Sequence, residues 1–403
     1  METNPVNSVL TSHADAPKRL DTVIIGGSVA GLFTAYLLAQ NGATVHLFDA
    51  NDVMHVHPRT LIATAQLEEV LGFFPAGAIV NQVRTIELMS AGRQIKVDLP
   101  RPDLVVERSA MIRILAQKAV DAGVKLWSGH KFLGFEPSSN GLRLRVQDKH
   151  IKRTVEFTTQ NLVGADGAFS QVANAAQMNG LARVALLQAI VEPPDGCDAA
   201  NVQVWFEPRR TPYFFWFIPE GKNRAAVGFI AEDSTTAKAK LREFLQEKNF
   251  RPLQIQAAWI PLFATGHRPW KQISGCDIYL VGDAAGHVKV TTVGGLVTGL
   301  WGARAAAEAI HSKTDYQKTL RSLERELFLH GMIRRALNRF SPRDYDKLLH
   351  TVNDATAMLL GRYTRDELTK MAAKLLLAQP RLLGFLTHIL LPGRARNLPL
   401  HTR

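Results

Sequence analysis

The chain has 403 residues, 46% hydrophobic and 21% charged, which is enough for two cores and excludes an intrinsically disordered chain. Two cysteines in unrelated contexts, Cys197 and Cys276, exclude a disulfide framework and a cysteine metal cluster, and suit a reducing cytoplasm. The formal net charge of +12 favours nucleic acid, an anionic membrane surface or an anionic substrate, without choosing among them.

Residues 1–20 are polar, contain two prolines and lack the apolar core of a signal peptide, so a flexible leader is expected. The uncharged run Val23–Ala39 approaches the length of a membrane span, but its glycines point elsewhere. Thr22–Ile25 is a β-branched run of the buried parallel-strand type. Gly26-Gly27-Ser28-Val29-Ala30-Gly31 follows, then helix formers from Leu32 to Gln40 and Gly42 where a helix ends. Ala43–Phe48 reads as a second strand ending at Asp49, 18 residues after Gly31. This is the spacing of a dinucleotide fingerprint. Gly26 makes the tight turn, and Gly31 lets helix and strand pack closely. The pyrophosphate sits on the helix N-terminus, and Asp49 accepts from the adenosine ribose. Ser28 replaces the middle glycine, where its hydroxyl can face a phosphate.

Two later segments repeat the strand-then-glycine pattern. Leu162 to Ser170 ends an apolar strand in Gly164-Ala165-Asp166-Gly167 before a short helix start. Ile278 to Gly286 ends another in Gly282-Asp283, followed by Gly294-Gly295 and a helix expected over 296–311. Asp283 can accept hydrogen bonds from the ribitol of a flavin. The helix after Gly295 would aim its positive end at the flavin pyrimidine edge, where the reduced ring carries negative charge. FAD is therefore the expected cofactor.

Three such segments in this order resemble the two-dinucleotide-binding-fold flavoproteins of the para-hydroxybenzoate hydroxylase type, over roughly residues 22–310. The resemblance implies that the arginine of Val105-Val106-Glu107-Arg108, opening a helix over 109–122, reaches the FAD. Within that type, residues 282–296 look most like the geranylgeranyl reductase family, whose pattern is Gly-Asp-Ala-Ala-Gly and then Pro-Thr-Thr-Gly-Gly-Gly. Phe214-Phe215-Trp216-Phe217-Ile218-Pro219 resembles that family's Tyr-x-Trp-x-Phe-Pro pocket strand. By period-2 alternation Phe214, Trp216 and Ile218 share one face and can roof an apolar chain. Val290 and Val293 replace the family's proline and first glycine. Met54–Thr60 stands where the family has a cysteine-glycine motif. Flavin-dependent halogenases carry a similar Trp-x-Trp-x-Ile-Pro strand.

His55, His57 and His287 are the histidines near flavin motifs; His287 and His57 are the candidates for proton transfer. Arg59 could contact the flavin or its phosphates. No nucleophile triad and no zinc spacing occur, so no metal is expected. The expected fold is α/β, a Rossmann-like FAD domain in segments 21–75, 100–178 and 270–325. An antiparallel β-sheet substrate domain takes 76–99 and 179–269, and a helical region 326–403. Residues 331–403 carry +8 of the net charge in a leucine-rich setting, which fits either an interfacial helix or one packed on the substrate domain.

The expected activity is that of an FAD-dependent reductase acting on an apolar, isoprenoid or lipid-like substrate. The alternative is a flavin monooxygenase or halogenase acting on a small aromatic. A non-enzymatic prenyl-binding protein of the Rab-escort type would need neither Gly-Asp segment. Electrons would come from NAD(P)H or a reduced protein. The expected setting is cytoplasmic with peripheral membrane contact, and no nucleic-acid partner is expected.

Overall fold

The computed structural model describes residues 18–390. The first strand begins at Lys18, so Lys18–Leu20 belong to it and not to the expected leader, whose other residues lie outside the described ones.

The first sheet has eight strands around five parallel ones. Across that core the order is Cys276–Leu280, Arg153–Gly164, Lys18–Ile25, Val45–Phe48 and Lys125–Trp127. Trp270–Ile273 closes one edge antiparallel. The hairpin of His130–Ser138 and Gly141–Asp148 adds onto Arg153–Gly164. The chain leaves Lys18–Ile25 in one direction and returns on its other side, so a crevice opens at the carboxyl ends of these strands, where α/β sheets bind ligands. Register places the three glycine-bearing turns there together, since Ile25 and Leu280 both pair with Gly164.

The helix Val29–Gln40 starts three residues earlier than expected because Ser28 caps it, its Oγ accepting from Gly31 N–H. It packs between the parallel sheet and the helices Arg108–Asp121 and Leu296–Ser312 in one apolar cluster.

The second sheet also has eight strands, in the order Arg251–Pro261, Arg183–Glu192, Ala225–Ala231, Phe215–Pro219, Asn201–Trp205, Ile79–Met89, Gln94–Glu107, Thr60–Ala63. It is antiparallel except between Asn201–Trp205 and Ile79–Met89. Thr60–Ala63 and residues 100–107, grouped by sequence with the nucleotide segments, pair here. Phe215 and Phe217 point to one face, where Phe215 stacks on Phe244 of the helix Ser234–Glu247 at 4.1 Å between ring centres. Trp216 and Ile218 point to the other.

From Tyr316 onward the chain is helical: Tyr316–Leu337, Pro342–Thr351, Asp354–Arg362, Leu368–Ala378, a 3-10 segment Pro380–Leu386, and Thr387–Leu390. These helices lie against the second sheet. Tyr345 stacks on Phe206 at 4.6 Å. Gly361 approaches the strand Gln94–Glu107 so closely that a Cβ there would sit 2.0 Å from Asp98 O. No helix among the described residues is long and apolar enough to cross a membrane.

Candidate active site

At the nucleotide end the backbone leaves no choice of residue. Gly26 has φ +110°, and a Cβ on it would meet Ala165 O at 2.4 Å. A Cβ on Gly31 would meet Gly26 O at 2.2 Å. Asp49, at the end of the second parallel strand, accepts from Gly27 N–H and from Asn51 N–H, both at 2.7 Å. Each oxygen keeps a lone pair for a ribose hydroxyl.

A cavity of about 510 Å³ opens from this crevice toward the second sheet. Its first end is lined by Ser28, Ala30, Arg59, Arg108, Asp283 and Gly295. The Asp283 carboxylate has no protein hydrogen bond in any described contact; burial raises its pKa, and the nearby Arg59 and Arg108 pull it back down. Burial lowers the Arg59 pKa to about 10, with Arg108 repelling and Asp283 opposing, and Arg59 Nε has no hydrogen-bond partner. Burial likewise lowers the Arg108 pKa, against the pull of Asp283, Glu107 and Asp49. Two half-buried guanidiniums and a carboxylate with no protein hydrogen bond line this end together, and a ligand there would complete them. Gly295 caps the helix Leu296–Ser312 without any side-chain hydrogen bond. The first-turn amides and the positive helix end are therefore left for a ligand at the cavity. These groups fit a flavin dinucleotide: acceptors for its hydroxyls, cations for its phosphates and a helix N-terminus for the ring.

Beyond them the walls become apolar. Phe214, Trp216 and Ile218 line this stretch, as the alternation predicts, beside Leu186, Ile230 and Ile260 on the same face of the second sheet. Trp216 reaches across Gly228, where a Cβ would strike the indole at 2.7 Å and Gln188 Cβ at 2.5 Å. The far end is closed by the C-terminal helices through Arg334, Tyr345, Tyr363 and Arg365.

The FAD-binding-domain family model matches residues 19–313. The chain belongs to that family. It is an FAD-dependent oxidoreductase, and it has relatives among the geranylgeranyl reductases. It is 27% identical over 308 residues to a geranylgeranyl diphosphate reductase of Rhodobacter capsulatus, covering 72% of this chain and 75% of that protein. It is 24% identical over 327 residues to a digeranylgeranylglycerophospholipid reductase of Methanococcus vannielii, covering 75% and 81%. The fold is shared with a geranylgeranyl bacteriochlorophyll reductase-like protein of Thermoplasma acidophilum, at TM-score 0.75 and 16% identity over 93% of this chain and 100% of that one.

Three of this flavoprotein's sequence-expected site residues sit differently from expectation. The Asp166 carboxylate does not line the cavity. It accepts from Gln171 N–H (2.6 Å), Val172 N–H (3.2 Å) and Ser170 Oγ, and so fastens the helix Gln171–Ala175. The backbone of Ala165 and Gly167 reaches the cavity instead. His287, a proton-transfer candidate, is turned into the helix Leu296–Ser312, where Gly302 has no room for a Cβ because the ring lies 2.0 Å from that position. Burial and the neighbouring His267 lower its pKa to about 3. His57, the other candidate, is exposed and away from the cavity, as is His55, which pairs with Asp52 at 2.6 Å. Ser28 lines the cavity, and its Oγ accepts the helix-cap bond from Gly31 N–H, which leaves its proton and a second lone pair free.

The sequence reading missed the buried polar contacts that hold the C-terminal helices over the cavity. Lys289 pairs with Asp366, their side chains 7% and 1% exposed, and Asp366 also accepts from Thr64 Oγ at 2.7 Å. Arg365 pairs with buried Asp103 at 2.6 Å. The only sequence signal was the acidic pair Asp366-Glu367 inside a basic tail.

Proposed function

We propose that this protein binds FAD with Asp49, Arg59, Arg108 and Asp283 as its polar contacts. The backbones of Gly26, Gly27, Gly31, Gly282, Gly294 and Gly295 would lie against it, and Ser28 and Ala30 would flank the pyrophosphate. We propose that it uses the reduced flavin to saturate an isoprenoid chain held beneath Phe214, Trp216 and Ile218. The observation that carries this reading is the continuity of the cavity. One space runs from Asp283 and the helix start at Gly295 to an apolar length under Trp216. The named relatives act on geranylgeranyl compounds, and a chain of that kind suits such walls. When bound, FAD supplies the hydride; the protein positions the acceptor and keeps water from it. Electrons reach the flavin from NAD(P)H or a reduced protein. The folding units follow the segments 21–75, 100–178 and 270–325, then 76–99 and 179–269, then 326–403, except that Thr60–Ala63 and residues 100–107 join the second sheet.

Titrating the FAD-loaded protein with geranylgeranyl diphosphate while recording the flavin absorbance tests the pocket. The expected result is a saturable perturbation, weakened at least ~10-fold when Trp216→Asp places a charge in the apolar wall. No perturbation in the wild type, or equal affinity in W216D, would overturn the substrate reading.

The same reading places the protein in the cytoplasm, at the inner face of a membrane, through residues 370–396. Leu377 and Met358 are 82% and 74% exposed, beside exposed Lys374 and Arg381. Apolar side chains flanked by cations suit an anionic lipid surface, at up to about 1 kcal/mol per cation, weakened by salt. Residues 391–396 of that stretch lie outside the described ones. Sedimentation with anionic vesicles at low and high salt tests it. Full-length protein should pellet at low salt, and Leu377→Asp should not.

A further inference from the structure

Thr291 lines the cavity two residues before Val293 and close to the helix start at Gly295. Its Oγ1 lies 2.5 Å from His330 Nδ1. His330 is 4% exposed and sits on the helix Tyr316–Leu337. Its other nitrogen, Nε2, makes no hydrogen bond and stands at ion-pair distance, 3.5 Å, from Glu326 Oε1, one turn earlier on the same helix. Glu326 is itself 6% exposed and accepts from Thr369 N–H at 2.9 Å, Thr369 Oγ at 2.7 Å and Leu368 N–H. Burial opposes its charge, but these donors and His330 lower its pKa to about 2. The result is a carboxylate, an imidazole and a hydroxyl in line, ending at the cavity wall. A hydroxyl backed by an imidazole, which is oriented in turn by a carboxylate, is an arrangement that moves protons. His55, His57 and His287 do not line the cavity, whereas Thr291, bonded to His330, does.

We propose that Glu326, His330 and Thr291 form a relay that delivers the proton of the reduction, a role that rests on the reductase reading above. Saturating a carbon–carbon double bond takes a hydride at one carbon and a proton at the other, and reduced FAD supplies the hydride. As the new C–H bond forms at the second carbon, the Thr291 O–H bond breaks. The proton on His330 Nδ1 moves onto Thr291 Oγ1 in the same event. Threonine ends neutral and the imidazolium becomes neutral imidazole. His330 takes up a proton again before the next turnover, with the Glu326 carboxylate 3.5 Å from its other nitrogen. Thr291 touches the substrate and is the catalytic residue; His330 and Glu326 act through it and are positioning residues.

The test is a single turnover of the flavin-reduced protein with geranylgeranyl diphosphate in deuterated buffer. Thr291→Val, His330→Gln and Thr291→Ser are compared with the wild type, and FAD affinity and KM are measured alongside. Wild type should place solvent deuterium on one face of the reduced carbon. T291V and H330Q should slow the step about 100-fold and lose that facial selectivity. FAD affinity and KM should stay within about twofold, and T291S should restore both rate and selectivity. A T291V protein that keeps wild-type rate and selectivity would overturn the relay. If the wild type reduces none of the probe, the substrate reading fails, and the relay is then judged on the His330 ring by nitrogen NMR of the FAD-loaded protein. A hydrogen-bonded Nδ1 resonance that moves in T291V upholds the relay, and an unchanged one overturns it.

Discussion

The two ends of the cavity are built on different principles. At the nucleotide end the backbone itself makes the site, where loops from three adjacent strands come so close that Gly26 and Gly31 cannot carry a Cβ. At the far end side chains make it, through ion pairs and a hydrogen bond between residues distant in the chain. Arg365 and Asp103 are 262 positions apart, Thr64 and Asp366 are 302 apart, and Lys289 and Asp366 are 77 apart. A site made by backbone tolerates few sequences and has a short-range signature. One made by buried pairs has many solutions, each dependent on both partners.

The largest effect should follow from breaking the backbone-made end. Gly31→Val puts three carbons where Gly26 O already stands 2.2 Å from a Cβ. The protein is expected to purify without flavin, or not to fold, as judged by flavin absorbance and circular dichroism. Retained FAD at wild-type affinity would mean that the close approach does not matter.

At the far end, Asp366→Asn strands the buried ammonium of Lys289 and should cost about 3–5 kcal/mol in urea unfolding. The double change Lys289→Met with Asp366→Leu should recover most of that loss. If the double variant is as unstable as the single, the pair is not the fastener described.

Between the ends, His287 gives a pH dependence whose sign follows from its depressed pKa. Its folded value of about 3 lies below the ordinary histidine value of 6.5. Its contribution is therefore complete above pH 6.5 and is lost as pH falls toward 3. The unfolding free energy should fall by up to about 1.4 kcal/mol per pH unit in that window. His287→Gln should flatten the slope, and an unchanged slope would assign it to carboxylates.

The smallest effect is expected at Val293, a β-branched residue held at φ +54° in the loop between the two ends. Val293→Gly relieves strain of about 1–3 kcal/mol and loses burial worth a similar ~1.5–3 kcal/mol. The two nearly cancel, so a change in unfolding free energy under about 1 kcal/mol is expected. A larger loss would show that packing alone governs this loop.

Sequence reasoning succeeded and failed along the same division. The FAD fold and family were legible because Gly26, Gly282 and Asp283 fall just after strand ends, with Gly31 in the helix that follows the first. Phe214, Trp216 and Ile218 were legible from alternation, since one sheet face had to be apolar. Asp166 misled because an Asp-Gly turn beside a nucleotide can serve either the ligand or the next helix, and only geometry showed the carboxylate turned to Gln171 N–H. His287 misled through proximity in sequence, since the residue sits beside the flavin motif while its ring points into a neighbouring helix. His330, Asp103 and Arg365 carried no local pattern at all, because their partners are set by how the C-terminal helices pack.

The proposed reaction is saturation of an isoprenoid chain by reduced FAD in this cavity. Anaerobic incubation of the flavin-reduced protein with geranylgeranyl diphosphate, followed by mass spectrometry of the lipid, tests it most directly. The predicted result is a product two hydrogens heavier for each flavin oxidised, absent in Asp283→Ala protein that has lost FAD. Unchanged lipid without air, together with an oxygenated or halogenated aromatic formed in air, would contradict it.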